Sequence, residues 1–357
     1  PSDGAFDENL ELDFKILDKK LSLEDADYSE CPPQYRAKLD EILLEFDDRF
    51  SKSKLDIEIT DMYEAELDTV EGRIVNQRVR RLPENKYQFA MKAIRQLEEA
   101  GVVSESDSEW RSNVVMVPKP TGKGELRSNT KSDMQDKEKQ NAQLYRICLD
   151  FKELNELLIF PKQVQFVNLE TLLYTLKGKL CINVDISSAF FIIPIKQEHR
   201  HKTAFWVNDK SYEFNVAVMG LKSSPYHLKK FMEVAFSKTQ LDKIIKLLSP
   251  EKRKHIPNTF DQMIITYFDD GWIYADTYEE LLTRWKAVLL ACRAAKIKFS
   301  AEKCTFMTKN IKILGYSFNT EDVILTMDKL KSSAIMNMKK PSSLFELHSR
   351  LCSFQYQ

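Results

Sequence analysis

The sequence predicts an α+β fold in which antiparallel hairpins are interspersed with amphipathic helices. Three observations carry this expectation. The apolar segments Met263–Ile265 and Trp272–Tyr274 flank the acidic stretch Tyr267-Phe268-Asp269-Asp270. Asp favours turns through hydrogen bonds to its own backbone, so strand, acidic turn, strand is the natural reading. Phe205-Trp206-Val207 and Tyr212-Glu213-Phe214 around Asn208-Asp209-Lys210 read as a second hairpin. Elsewhere, apolar residues recur at helical spacing between recognisable start and stop signals.

The elements follow in order. The first thirty or so residues are acidic and weakly periodic, and read as an extended or partly disordered lead-in. Pro33 opens a helix through Phe46, with Tyr35, Leu39, Ile42, Leu43 and Phe46 on one face. Pro83 opens another, whose stripe is Tyr87, Ala90, Met91, Ile94 and Leu97 and whose stop is Gly101. Val114–Val117 is a short strand. Residues 121–142 are charged and lack an apolar pattern, so they read as a mobile loop. The strand Leu144–Phe151 follows, which makes the pair a hairpin with an enlarged tip. Asn168 caps a helix with Leu169, Leu172, Leu173 and Leu176, ended by Gly178. Leu180, Ile182 and Val184 alternate into a strand that delivers Asp185. Ser224-Pro225 opens a helix to about Phe236, and the Lys-rich residues 237–261 separate it from the acidic hairpin. Thr277 and Glu280 form a capping box for a long helix. Ile311–Phe318 reads as a strand and Met327–Met338 as a last helix. No internal repeat is apparent.

The 357 residues suffice for one large domain or a few small ones. A hydrophobic content of 43% supports a core, and 30% charged residues with a net charge of -1 describe interspersed surface charge. That balance neither favours nor excludes a nucleic-acid partner, because a basic groove can hide within a neutral total. No run of about 18 apolar residues occurs, which argues against a membrane span. The chain opens Pro-Ser-Asp-Gly without Met, and is expected to be cut from a longer polypeptide. Its six cysteines are scattered with no CxxC pair, which argues against zinc and for a reducing compartment.

Two adjacent carboxylates at a hairpin tip repel, so a positive charge is expected between them, most simply a divalent cation with oxygen ligands. The blander reading is a solvated acidic turn. Asp185 supplies a third carboxylate if its strand lies beside the hairpin. Three carboxylates can hold two Mg²⁺ about 3.5–4 Å apart, the clamp for in-line phosphoryl displacement. No Gly-rich Walker loop is present, which argues against a P-loop phosphotransferase.

Further blocks accompany these acids. Arg80-Arg81-Leu82-Pro83 precedes a helix and Gly101-Val102-Val103-Ser104. Val115-Met116-Val117-Pro118-Lys119 and Tyr145-Arg146-Ile147-Cys148-Leu149-Asp150-Phe151-Lys152-Glu153-Leu154-Asn155 come next. Val184-Asp185 through Ala189-Phe190-Phe191, Lys202-Thr203-Ala204-Phe205 and Met219-Gly220-Leu221-Lys222-Ser223-Ser224-Pro225 follow. Tyr267-Phe268-Asp269-Asp270, Glu302-Lys303-Cys304 and Ile313-Leu314-Gly315-Tyr316 complete the series. From about Asp47 to the C-terminus the chain resembles the reverse transcriptase of a Gypsy-class long-terminal-repeat retrotransposon or retrovirus-like element. Each block alone is weak; so many in family order are specific.

The resemblance implies a right-hand polymerase with fingers, palm and the start of a thumb, its antiparallel palm sheet backed by helices. The expected divisions are a lead-in at 1–32, an N-terminal helix and fingers at 33–180, the palm with remaining fingers elements at 181–318, and a truncated thumb at 319–357. Asp185, Asp269 and Asp270 match the catalytic carboxylates, with the Ile186 carbonyl as a further metal ligand. Two Mg²⁺ are implied, Mn²⁺ being a workable substitute. Lys119 and Arg146 match residues that grip the incoming triphosphate, Arg by bidentate bonds and Lys as a point charge. Ser188 and Ala189 match positions whose amides meet the triphosphate, and Phe190 matches the bulky residue that excludes a 2′-hydroxyl. Met219 lies in the loop lining the nucleotide pocket. Lys303 matches a general acid for the departing pyrophosphate. Tyr267 and Phe268 match primer-contacting positions, and Leu314, Gly315 and Tyr316 match the hairpin that supports the primer end.

The departures from the family pattern are Val218-Met219 before Gly220, Phe268 in the acidic turn, Pro120 after Lys119, and long insertions at 121–142 and 237–261. None touches the three acids. The expected function is RNA-directed DNA polymerisation, a nucleotidyltransferase reaction adding dNTPs to a primer on an RNA or DNA template. Protease, RNase H and integrase segments of the same polyprotein are the implied partners. The implied location is cytoplasmic, within virus-like particles, with no membrane partner. No RNase H sequence is visible before Gln357. The alternative is a catalytically silent retroelement-derived nucleic-acid-binding or assembly module.

Overall fold

The computed structural model describes residues 22–118, 145–160, 167–313 and 316–327, with Ser333 and Leu344. Its strands run, in chain order, β1 (Asp68–Thr69), β2 (Val103–Glu105), β3 (Ser112–Pro118), β4 (Tyr145–Asp150) and β5 (Leu158–Ile159). Then come β6 (Leu180–Asp185), β7 (Phe205–Val207), β8 (Lys210–Phe214), β9 (Ile264–Tyr267) and β10 (Asp270–Ala275). The last are β11 (Thr305–Thr308), β12 (Asn310–Ile313), β13 (Tyr316–Asn319) and β14 (Ile324–Met327).

Local chemistry sets most element ends. The helix Pro33–Glu45 begins at a Pro whose fixed φ suits a first turn. The helix Glu84–Glu99 stops before Gly101, which adopts φ +73. Asn168 accepts from the Thr171 amide at 2.7 Å and so caps Leu169–Leu176. Thr277 accepts from the Glu280 amide to cap Tyr278–Ala295. The expected reciprocal contact differs: the Glu280 carboxylate accepts from the Asp276 amide, one residue earlier, at 3.3 Å.

A four-stranded antiparallel sheet in the order β11-β6-β10-β9 carries the acids. Side chains alternate between its faces. On one face Leu180, Ile182, Val184, Ile273 and Ala275 join the large core cluster, against which Leu281, Trp285, Val288 and Cys292 of the helix Tyr278–Ala295 are buried. On the other, Cys181, Trp272 and Tyr274 pack with Leu172, Leu176, Ile311, Ile313 and Phe318. Fully burying a side chain of this size stabilises by about 1.5–3 kcal/mol, so both faces hold the sheet's geometry. A second, five-stranded sheet runs β2-β8-β7-β3-β4, with β3 and β7 parallel. β12, β13 and β14 form a third sheet.

The segment before the five-stranded sheet wraps the acid-bearing sheet. The Asp27 amide donates to the Cys304 carbonyl at 2.9 Å, and Phe306 returns a bond to the Asp27 carbonyl. Further on, the Phe299 amide donates to the Arg49 carbonyl and the Ser51 amide to the Phe299 carbonyl, at 2.8 and 2.9 Å.

Three expectations are corrected. Residues 237–261 are not a simple connector: Ser237 caps a helix Lys238–Leu247 whose Leu241 and Ile244 are buried, and a short helix Pro250–Arg253 follows. Its apolar residues recur at helical spacing, with the Lys residues between them giving the segment the composition of a connector. Ile311–Phe318 is two strands, because Ile313 pairs with Tyr316 and Asn310 with Asn319. Met327 ends β14 rather than opening a helix, since Tyr316 pairs with it across β13. The loop 121–142, Lys119, Leu314, Gly315, the lead-in before residue 22, and most of 328–357 lie outside the described residues.

Candidate active site

The register of the central sheet assembles the site. β6 ends at Asp185 and β10 begins at Asp270, and the two residues stand opposite each other in the antiparallel ladder. Opposed residues share a face of the sheet. Asp269 lies in the two-residue turn between Tyr267 and Asp270, which are themselves paired. The Asp269 carbonyl accepts from the Ile186 amide at 2.6 Å, tying the turn to the residue after Asp185. Phe268, the other turn residue, adopts φ +54, a left-handed conformation that is unfavourable for a bulky side chain. Its ring meets Tyr267 edge-on at 4.9 Å between centroids.

Gly271 makes the close approach of β10 and β6 possible. A Cβ there would lie 2.9 Å from Val184 Cγ2. This residue was passed over in the sequence, although a Gly directly after two acids is a signal of tight backbone approach.

The site is electrostatically loaded. Asp185 is buried, and its carboxylate accepts from Lys303 Nζ at 2.8 Å. Burial raises the Asp185 pKa; the Lys303 bond opposes the rise, and the Asp269 charge adds to it. Burial, then repulsion from Asp269 and Asp185, lifts Asp270 to about 6. Burial works against the Lys303 ammonium, but the Asp185 bond and the charges of Asp269 and Asp270 outweigh it and hold Lys303 above the ordinary Lys range.

The donor set suits a hard divalent cation: acceptor-only carboxylates of like sign, whose mutual repulsion a positive ion would relieve. Among the described residues, no three His, Cys, Asp or Glu side chains are already arranged as a cage. Asp185 takes its positive partner from Lys303.

The remaining candidates are placed as follows. Ser188 adopts φ 49 and its hydroxyl donates to the Lys54 carbonyl at 2.8 Å. Ala189 is buried, and the half-buried Phe190 packs against the main core within the turn Ala189–Ile192. Arg146 lies in β4 opposite Val117, on the five-stranded sheet. Met219 is half-exposed in a loop held by Asn155, whose side chain donates to the Gly220 carbonyl and accepts from the Lys222 amide, both at 2.8 Å. That role for Asn155 was not apparent from sequence. Tyr316 opens β13. Beside the turn, a groove of about 460 Å³ is lined by Pro225, Leu228, Met232, Ile265 and Phe268, among others.

A sheet that opposes a buried and a half-buried acid at its strand ends, with a charged Lys beside them, matches the palm of a right-hand polymerase fold. A family model described as reverse transcriptase (RNA-dependent DNA polymerase) matches residues 134–318, and the chain belongs to that family. It is 24% identical over 311 residues to the retrovirus-related Pol polyprotein from transposon 412 of Drosophila melanogaster, covering 87% of this chain and 22% of the relative. It is 24% identical over 276 residues to the transposon Tf2-3 polyprotein of Schizosaccharomyces pombe, covering 77% of this chain and 17% of the relative. The chain thus spans about a fifth of these relatives' length.

Among solved structures, a foamy viral protease-reverse transcriptase in complex with RNA/DNA hybrid superposes with a TM-score of 0.69 at 18% identity, covering 100% of this chain and 41% of that one. A foamy viral protease-reverse transcriptase dRH in complex with double-stranded DNA gives 0.71 at 19%, covering 100% and 54%. These likenesses establish the fold. Divalent metal use is general in the family. Among the described residues, no helix is long and apolar enough to cross a membrane.

Proposed function

We propose that this chain is the polymerase part of a retroelement polyprotein and extends a primer 3′-hydroxyl with dNTPs on an RNA or DNA template. The observation that carries the reading is the opposition of Asp185 and Asp270, with Asp269 at the same tip and Lys303 bonded to Asp185. Asp185, Asp269 and Asp270, with the Ile186 carbonyl, would hold two Mg²⁺. When bound, these ions lower the pKa of the attacking hydroxyl and stabilise the pyrophosphate leaving group.

The protein's own groups position and protonate. Lys303, held protonated by its acidic neighbours, donates a proton to the departing pyrophosphate. Arg146 and Lys119 grip the triphosphate, with the Ser188 and Ala189 amides beneath it. Phe190 fills the space a 2′-hydroxyl would need. Met219 lines the nucleotide pocket; Tyr267, Phe268, Leu314, Gly315 and Tyr316 support the primer. The template–primer duplex is recognised by backbone and shape rather than by sequence. The divisions into fingers at 33–180, palm at 181–318 and thumb from 319 belong to the same proposal, as do a place within virus-like particles and protease, RNase H and integrase partners.

The test is extension of a DNA primer on RNA and DNA templates with Mg²⁺ and dNTPs. Template-dependent incorporation on RNA is expected. No incorporation on any template, with duplex still bound, would leave a silent binding module instead.

A further inference from the structure

Lys54 lies in the segment that wraps the sheet, upstream of the family-matched residues 134–318, and its backbone meets the turn that follows Asp185. Backbone contacts fix where it lies. Residues 49–51 pair with Phe299, which is itself bridged to Ile186. Three residues beyond Ser51, the Lys54 carbonyl accepts from Ser188 Oγ at 2.8 Å. Lys54 is therefore bonded to the turn that follows Asp185.

Its neighbours differ from it in one respect. Lys52 pairs with Asp47, Lys298 with Asp56 at 2.6 Å and Glu58 at 3.1 Å, and Lys303 with Asp185 at 2.8 Å. Lys54 is half-buried and has no ion-pair or side-chain hydrogen-bond partner among the described residues. Its charge nevertheless acts on the Asp185 carboxylate. A surface Lys normally finds water or an exposed acid. One anchored through its carbonyl to Ser188, three residues after Asp185, with Lys303 already in contact with Asp185, is placed for an anion that arrives with the reaction.

We propose that Lys54 binds the phosphate tail of the incoming nucleoside triphosphate, so that the N-terminal segment completes the substrate site. The inference rests on the polymerase reading for its substrate. A Lys ammonium is a compact charge with rotatable donors on a flexible stem, suited to a polyphosphate whose oxygens shift as pyrophosphate departs. The anchored carbonyl holds the stem's origin while the ammonium moves.

Two measurements on the full chain test it: calorimetric binding of inorganic tripolyphosphate with Mg²⁺, and the KM for dNTP in primer extension. The variants are Lys54→Ala, Lys54→Arg and the control Lys243→Ala on the remote helix Lys238–Leu247. Lys54→Ala is expected to weaken tripolyphosphate binding and raise the dNTP KM about tenfold each, the scale of one charge-assisted hydrogen bond. The change in kcat is expected to be smaller, the unfolding midpoint unchanged, and Lys54→Arg to recover most of the loss. Parent-like binding by Lys54→Ala, or no tripolyphosphate binding by the parent, would overturn the assignment. So would a fall in kcat at constant KM, which marks a role exerted through Asp185. Loss of binding in Lys54→Ala while the parent fails to extend any primer would sustain the Lys54 site and overturn polymerisation instead.

Discussion

Asp270 stands directly across the β6–β10 ladder from Asp185, so two acids share one face at one end of the two central strands. Like charges placed opposite one another destabilise an antiparallel pair. The surrounding packing over-determines this arrangement: Trp272 and Ile273 on β10 and Ile182 and Val184 on β6 are all buried. A cation bound between the two carboxylates would relieve their repulsion.

Asp269→Asn removes one charge from the acidic turn while leaving its size. Primer extension is expected to fall by about 10²–10³-fold or more, the scale for losing one charge-stabilising group. Duplex affinity, measured by fluorescence anisotropy, is expected to stay near the parent value. Equal extension by variant and parent would remove Asp269 from the proposed set.

The raised pKa of Asp270 has a pH signature. The folded group holds its proton up to about 6, above the ordinary Asp value of 3.8. Between those values the folded state binds more protons than the unfolded state, so stability declines as pH rises through the window. Below the window this penalty is absent; above about 6 it is complete. Mg²⁺ competes with that proton, so its gain in unfolding temperature is expected to be larger at pH 7.5 than at pH 5. Asp270→Asn is expected to flatten the difference. An equal Mg²⁺ gain at both pH values in the parent would refute the coupling.

Gly271→Ala places a Cβ 2.9 Å from Val184 Cγ2, closer than atoms tolerate. Val184 is β-branched and stiff, so it yields poorly. A loss of about 1–3 kcal/mol is expected from urea unfolding, typical of overpacking. Adding Val184→Ala is expected to recover part of the loss. No coupling between the two substitutions would show that the strands accommodate the methyl elsewhere.

Phe190→Val opens the space assigned to 2′-hydroxyl exclusion. Ribonucleotide incorporation is expected to rise, read as the ratio of kcat/KM for rNTP and dNTP. An unchanged ratio would return Phe190 to a purely core role, consistent with its packing against the main cluster.

Much of this was legible along the chain. The stops at Gly101 and Gly178, the caps at Asn168 and Thr277, and both hairpins follow from short-range rules, because caps and turns are satisfied within a few residues. The helix Lys238–Leu247 was obscured by its many Lys and the Pro residues after it, although Leu241, Ile244 and Ile245 recur at helical spacing and pack on the core. The reversal between Ile313 and Tyr316 follows from the family resemblance but not from periodicity, because the alternating Ile311, Ile313, Tyr316 and Phe318 read as one strand.

By itself the sequence singled out the side chains proposed to carry the chemistry: the acids at 185, 269 and 270, the Lys at 303, and their order among family blocks. Only the tertiary structure decided that Asp270 faces Asp185, that Gly271 must lack a side chain, and that Lys54 is bonded to the turn at Ser188. The physical reason is distance along the chain. Strand register and the path of the N-terminal segment are set by packing between residues far apart in sequence, and a slip of one residue would turn every side chain to the opposite face.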